Sequence, residues 1–298
     1  MLMKRVMIIG AAGLLGQYLC AEGIERGLEV TATYHNTEPK GLGCHLEQLD
    51  IVDPASTSQV IESGSPEVVI LPSALTNVDY CELHPQEAWQ VNAEGTLNVA
   101  SACKKAGARL MYVSTDYVFN GTKGERYYEF DTPDPPSIYA QTKLEGERLT
   151  LDADKHNCVC RVCVLYGWNR VSSKSNFVTW VLDSLRQGKD VRLFGDQFVS
   201  PTYAPNAAKV MMTMAEGNAM GIYHTAGPDC ISRYEMGLKI AGAFDLPPNL
   251  CKKVDTEEVP LPAKRGKVSC LDIQKVEAEF NITMTSFQDG LTDMKANE

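Results

Sequence analysis

The stretch "RVMIIGAAGLLG", residues 5–16, constrains the fold more than any other part of the chain. An apolar run reaches Gly10, and Gly10, Gly13 and Gly16 then recur at three-residue spacing ahead of an amphipathic segment. A buried strand that enters a helix through glycines opens a βαβ unit. Glycine lets the backbone turn sharply and approach a pyrophosphate, while the helix N-terminus offers N–H groups and positive potential. The pattern is G-x-x-G-x-x-G, with Ala12 where G-x-G-x-x-G places its second glycine. A tight strand–helix turn without a ligand would use the same residues, so its weight depends on the rest of the chain.

The remainder of the first half alternates. "EVTATYH", "CHLEQLDI", "PEVVILPS", "RLMYVST" and "HNCVCRVCVLYG" read as five further strands. Helical patterns separate them: "GLLGQYLCAEGIERG", "DPASTSQVIESG" with an Asp cap and a first-turn Pro, "HPQEAWQVNAEGTLNVASACKKAG" and "SIYAQTKLEGERLTLDA". The near-continuous apolar strands indicate a parallel sheet covered on both faces, an α/β Rossmann-type doubly wound fold. After about residue 167 helices and short strands mix. The expected division is a dinucleotide-binding domain over 1–166 and a smaller, mainly substrate-binding lobe over 167–298, part of which returns to the first domain. Trp89 and Val91 through Leu97 are expected on a core-facing helix face. His84 and His224 are isolated and read as structural, and Asn92 fits either a positioning role or a buried amide satisfied by backbone.

Charge and cysteines narrow the function. A formal net charge of -10 without a basic block argues against nucleic-acid binding. The start, with Lys4 and Arg5 ahead of an apolar run, is superficially leader-like. The three glycines break that run, so a buried first strand explains it better. No run of about 18 apolar residues occurs, so no membrane span is expected. The ten cysteines are scattered through strands and helices. They are expected to be reduced thiols of a cytoplasmic protein. In "HNCVCRVC", Cys158 and Cys160 should share one side of a strand and Cys163 the other, which disfavours a metal site.

The cofactor end is legible in part. A dinucleotide site usually places an acid after the second strand, to accept from the ribose 2′-hydroxyl. The region "TATYHN" has none before Glu38, while His35 and Lys40 suit a 2′-phosphate, so NADPH is favoured over NADH. Asp50 at the end of the third strand can accept from the adenine amino group, with the backbone of Ile51 beside it. Asp53 before Pro54 is the better helix cap.

Tyr139 and Lys143, four residues apart, share a helix face. A surface pair at this spacing is common. Here the fifth strand ends in "VSTDYVF", which puts Ser114 and Thr115 at the sheet's carboxyl edge, where doubly wound folds bind ligands. A tyrosine with an ordinary pKa of about 10 exchanges protons near neutrality only if positive charge stabilises its anion. Lys143 supplies such charge, and Thr115 can donate to a substrate oxygen held beside Tyr139.

"GAAGLLG", "STDYVFNGTKG", "IYAQTK" and "RVCVLYG", in this order, resemble the extended short-chain dehydrogenase/reductases. "TNVDYCE", "QVNAEGT", "DQFVSPTYA", "GIYHTAG" and "PAKRGKVS" are similar to the dTDP-4-dehydrorhamnose reductase group within them. The resemblance covers nearly the whole chain. It implies reduction of the 4-keto group of a nucleotide-linked 6-deoxysugar by hydride from NAD(P)H, with Thr115, Tyr139 and Lys143 catalytic and Asp116 touching substrate. It implies cofactor contacts at Gly10, Gly13, Leu14, Leu15 and Gly16, at Asp50 and Ile51, at Ser73, Ala74 and Leu75, and at Tyr139 and Lys143. It implies a tryptophan against the sugar where this chain has Val164. A homodimer and a magnesium ion occur in the group, but no residues here place the metal. Two other readings stand beside it. One is a non-enzymatic NADP-binding regulatory subunit resembling the methionine adenosyltransferase β subunit. The other is a nucleotide-sugar epimerase, which would hold NAD tightly and is disfavoured by the missing acid.

Overall fold

Short, fully buried apolar runs form the centre of the molecule. The computed structural model describes residues 5–298. Strands β1 (Arg5–Ile9), β2 (Glu29–Tyr34), β3 (His45–Gln48), β4 (Val68–Leu71), β5 (Arg109–Thr115) and β6 (Cys158–Val162) pair in parallel. Between β6 and the next strand of this sheet lie four short ones: β7 (Leu165–Tyr166), β8 (Val191–Phe194), β9 (Phe198–Val199) and β10 (Thr202–Tyr203). Strand β11 (Gly221–His224) then joins the edge of β6, giving the seven-stranded order β11-β6-β5-β4-β1-β2-β3. The chain reverses direction across the sheet between β1 and β4, the place where doubly wound folds open a crevice.

Helices cover both faces. On one side lie α1 (Leu14–Glu25) and α8 (Ala204–Glu216), packed on each other. On the other are α2 (Pro54–Gly64), α5 (Gly95–Ala106) and α6 (Ile138–Ala153). Side chains alternate accordingly: Val6 and Ile8 enter one core layer, Met7 and Ile9 the other. Asp53 caps α2 by accepting from Ala55 and Ser56 N–H groups, as its position before Pro54 predicts. Short helices α3 (Val78–Leu83) and α4 (Pro85–Trp89) lead into α5. The remaining elements are α7 (Phe177–Arg186), strand β12 (Ile231–Ser232), α9 (Arg233–Ala243), strand β13 (Cys251–Val254), α10 (Gln274–Phe280) and α11 (Phe287–Ala296). Strand β13 pairs with β8, β12 with β9, and β10 with β7.

Four expectations need correction. The predicted long helix from 84 to 107 is interrupted by a π turn at Gln90–Glu94. The extra residue in that turn shifts the buried face. Trp89 and Leu97 point outward, 38% and 45% exposed, and Ala88, Asn92, Ala93 and Thr96 are buried in their place. The cysteines are not all thiols: Cys230 and Cys270 form a disulfide across a separation of 40 residues, and eight others are free. Its two halves lie in segments that only tertiary folding brings together, so spacing gave no sign of it. Cys158 and Cys160 do lie side by side, their sulfurs 3.9 Å apart. However, β6 ends at Val162, so alternation no longer governs Cys163, which is buried in the same core layer as the other two. Finally, the sixth predicted strand is broken at Val164, whose φ of 41° is a left-handed conformation rare for a β-branched residue. Among the described residues no helix is long and apolar enough to cross a membrane, and no three His, Cys, Asp or Glu side chains are grouped to hold a metal.

Candidate active site

The glycine turn sits at the sheet's carboxyl edge. Gly10 has φ of 108°, and a Cβ there would lie 2.9 Å from the Cβ of Ser73. A Cβ on Gly16 would come within 2.2 Å of the Gly10 carbonyl oxygen, so the helix can approach the strand only with glycine at this position. Gly13 is the N-cap of α1 and brings no capping side chain, and the first turn, Leu14, Leu15 and Gly16, carries no acid. That leaves N–H groups and positive helix potential for a phosphate. Across the crevice, Ser73 donates its N–H to the Ile9 carbonyl at 3.1 Å and starts the segment Ser73, Ala74, Leu75. These features fit a dinucleotide pyrophosphate.

At the far end of this edge the Asp50 carboxylate accepts from the Val52 N–H at 3.0 Å, and its other oxygen lies 3.5 Å from His35 Nε2. Both side chains are about half exposed. Ile51 is buried, and its carbonyl accepts from Asn98. The cofactor residues expected from sequence thus line one continuous edge.

The group expected to transfer a proton is assembled from β5 and α6. Because side chains alternate along β5, Ser114 points toward α6, while Thr115 ends the strand and its hydroxyl accepts from the Tyr117 N–H. Ser137 caps α6 by accepting from Ala140 N–H, and Glu82 of α3 accepts from the Ile138 N–H at 3.0 Å. Tyr139 is thereby fixed in the first turn, 8% exposed, with the Tyr117 ring edge-on at 6.1 Å. Burial raises its pKa above the ordinary tyrosine value, and a hydrogen bond with Thr115 opposes that. Lys143 is buried one turn on, donating to the Val113 carbonyl at 2.7 Å with its ammonium 4.1 Å from the centre of the Tyr112 ring. Burial brings its pKa down to about 7, against the opposing influence of Glu147.

Asp116 follows Thr115 and is buried, with the Thr115 hydroxyl 3.1 Å from Oδ1 and with Oδ2 lacking a hydrogen-bond partner among the described residues. Burial raises its pKa, while Ser269, Cys163 and Arg233 draw it down. A buried carboxylate oxygen needs a partner, and an incoming hydroxyl would supply one. Arg233 and Ser269 come from the second half of the chain, so the site lies between the sheet edge and those segments. Arg265 adds a bidentate pair with Asp79 of α3, at 3.0 and 2.8 Å. Val164, where the resemblance implied a tryptophan, is half-buried at its strained position. Trp168 does not replace it: its indole donates to the Met294 carbonyl, and its own carbonyl accepts from Gln17 and Tyr18.

Asn92 is the residue that sequence left undecided. From the π turn its side chain accepts from Leu75 N–H and donates to the Leu75 carbonyl and to Thr142 of α6. It therefore both satisfies backbone and ties the segment after β4 to α6. Sequence reading missed Glu82, Glu147 and Arg161 altogether. The only available signal was Glu147 continuing the Tyr139–Lys143 spacing by another four residues. His84 and His224 are structural: one stacks on Tyr80, the other is buried against Arg161 and the Asp272 carbonyl.

Comparison with known proteins places this site in a family. A dTDP-4-dehydrorhamnose reductase from Aggregatibacter actinomycetemcomitans is 32% identical over 306 residues, covering 99% of each chain. The methionine adenosyltransferase 2 subunit beta of Bos taurus is 31% identical over 297 residues, 97% of this chain and 86% of that one. A crystal structure of dTDP-4-dehydrorhamnose reductase from Bacillus anthracis in complex with NADP superposes with a TM-score of 0.89, at 28% identity, over 99% of this chain and all of the other. The model of the RmlD substrate binding domain matches residues 3–298, and the chain belongs to that family.

Proposed function

We propose that the chain is an NAD(P)H-dependent reductase acting on dTDP-4-dehydrorhamnose. The observation that carries this reading is the buried Thr115–Tyr139–Lys143 group at the carboxyl edge of a sheet whose glycine turn fits a dinucleotide. When bound, the reduced nicotinamide supplies hydride to the C4 carbonyl carbon of the sugar. Thr115 donates to the carbonyl oxygen and holds it against the Tyr139 hydroxyl. As negative charge develops on that oxygen, the Tyr139 hydroxyl gives up its proton. A buried tyrosine resists ionisation, so the positive charge of Lys143 beside it favours the transfer. Asp116 accepts from a sugar hydroxyl through its unpartnered oxygen, and Val164 leaves more room beside the ring than a tryptophan would. Gly10, Gly13, Leu14, Leu15, Gly16, Ser73, Ala74 and Leu75 hold the dinucleotide, and Asp50 and Ile51 its adenine.

The same reading favours NADPH over NADH, because His35 lies near the ribose end of the adenine site and no acid replaces it. It divides the chain at about residue 166, with α8 and β11 of the later half returning to the cofactor domain. It puts the protein in the cytoplasm, where the Cys230–Cys270 disulfide would be the exception among ten cysteines. A homodimer and a magnesium dependence extend it, and sizing with and without magnesium tests both.

The test follows nucleotide absorbance with dTDP-4-dehydrorhamnose and either NADPH or NADH. Turnover, faster with NADPH, is expected. Tyr139→Phe should bind NADPH with unchanged affinity and lose roughly 100-fold or more in kcat. Full activity in that variant would remove the proton role. No turnover with either cofactor, together with tight capture of a methionine adenosyltransferase catalytic subunit, would overturn the enzyme reading in favour of a regulatory one.

A further inference from the structure

The buried groups behind Tyr139 and Lys143 form a polar chain that the proposed reaction does not itself use. On α6, Tyr139, Lys143 and Glu147 stand at successive four-residue steps, so all three face the sheet. Glu147 is 2% exposed. Its Oε1 accepts from the Ser114 hydroxyl at 2.5 Å and from Arg161 Nε at 2.9 Å, and its Oε2 accepts from Arg161 Nη2 at 2.7 Å. Arg161, on β6, is 1% exposed, stacks over the Phe119 ring at 5.0 Å and reaches His224, whose own burial keeps it neutral.

Around Lys143 the inventory of groups is short. Helix α6 contributes Tyr139 and Glu147. Strand β5 contributes the Val113 carbonyl, the Tyr112 ring and, through Glu147, Ser114. Helix α5 contributes Thr96, whose hydroxyl donates to the Asn92 carbonyl and whose influence lowers the Tyr112 pKa against burial. Strand β6 contributes Arg161, reached through Glu147. The Tyr112 phenol occupies the space left by Gly146, where a Cβ would lie 2.3 Å from its oxygen. Glu147 is the only anion in this set, and Arg161 and Ser114 prevent it from rotating away.

We propose that Glu147 is a positioning residue that keeps Lys143 charged: Ser114 and Arg161 fix its carboxylate one helical turn behind the lysine. A buried ammonium with no anion nearby sheds its proton. Arg161 then has a double function, since it fixes Glu147 by two hydrogen bonds and supplies the counter-charge that a buried carboxylate requires. With Glu147 opposing it, burial brings Lys143 down to about 7, and without that carboxylate the ammonium would be lost at a lower pH still. The inference rests on the reductase reading only for the use made of the charge.

The charge is measured without any substrate, by following the side-chain nitrogen resonance of Lys143 with pH in selectively labelled protein. The signal is identified by its loss in Lys143→Met. Glu147→Gln should lower the titration midpoint by about one pH unit or more. In the enzyme the alkaline limb of kcat/KM with NADPH should move down in parallel, while rates measured below the new midpoint recover. Because Glu147→Gln strands Arg161 as a buried unpaired cation, a second variant removes both charges, Glu147→Gln with Arg161→Met, and should show a smaller fall. Folded variants whose Lys143 midpoint stays at the wild-type value would overturn the proposal, even with activity reduced, since a merely structural role lowers activity without moving the midpoint. A shifted midpoint in a protein that turns over no sugar would leave the proposal standing and sink the reductase reading instead.

Discussion

A methyl group at residue 16 would meet the Gly10 carbonyl oxygen at 2.2 Å and the Ala11 Cα at 2.9 Å. Both are backbone atoms, so neither can swing aside as a flexible side chain would. Either α1 tilts away from β1 or the turn opens. Overpacking of this kind costs about 1–3 kcal/mol. Gly16→Ala should therefore lower the melting temperature. It should also weaken NADPH binding at least tenfold, about 1.4 kcal/mol, because displaced N–H groups no longer converge on the pyrophosphate. Fluorescence titration with NADPH checks it; unchanged affinity would mean that the pyrophosphate does not lie on this turn. The requirement for glycine here was legible in the sequence because it follows from local backbone geometry. Ser114 was legible only by place. Its position at the strand end was plain, but that it serves Glu147 depends on which face of β5 meets α6, and this is a tertiary fact.

Among the elements, the interrupted helix from Pro85 to Ala106 departs most from its sequence reading. Helical periodicity over 84–107 was strong enough to predict one continuous helix, and the ends were nearly right. The π turn was invisible because its cause lies elsewhere. It buries Asn92, 1% exposed, where the side chain can grip both backbone groups of Leu75 and the hydroxyl of Thr142. The exchange left Trp89 and Leu97 outside, so a rule that reads apolar residues as core failed at the point where a polar one was needed inside. Asn92→Asp tests the clamp with little change in shape. The new carboxylate still accepts from Leu75 N–H, but it sets an acceptor against the Leu75 carbonyl where a donor stood and loses the donation to Thr142. A buried acceptor left unsatisfied costs about 1–3 kcal/mol, more beside a charge. The expected outcome is a destabilised protein in which NADPH affinity and kcat fall together, since Leu75 and α6 lie on opposite sides of the same side chain. Loss of stability with both constants intact at low temperature would reduce Asn92 to a packing role. The β–α alternation that indicated a doubly wound parallel sheet required no such information, because buried parallel strands and their covering helices each carry their pattern in one short window.

At the scale of the whole molecule, the site closes only when segments distant in sequence meet. The stretch 266–272 begins at Gly266, where a Cβ would lie 2.7 Å from the Asn120 carbonyl oxygen, and ends at Asp272, whose N–H donates to the Tyr127 carbonyl. It carries Ser269 to the edge of Asp116. Its hold on the loop after β5 includes Tyr127 N–H donating to the Cys270 carbonyl at 2.8 Å and Val268 N–H donating to the Gly121 carbonyl at 3.1 Å. The Cys230–Cys270 disulfide, with Cα atoms 5.5 Å apart, joins this stretch to the loop after β11. Closing a loop over a separation of 40 residues restricts the unfolded chain by about 4 kcal/mol in the chain-entropy account. The covalent link also holds Ser269 near the Asp116 carboxylate, the group proposed to accept from the sugar. Thiol titration of the unfolded protein without reductant should find eight reactive groups, and ten after reduction. Reduction, or Cys230→Ser with Cys270→Ser, should lower the melting temperature and raise KM for the sugar nucleotide more than it lowers kcat, with NADPH affinity unchanged because the glycine turn lies on the other wall. Ten reactive thiols before reduction would show that the bond does not form in the protein as isolated. A KM insensitive to its loss would show that the hydrogen bonds to Tyr127 and Gly121 are enough to hold the segment in place.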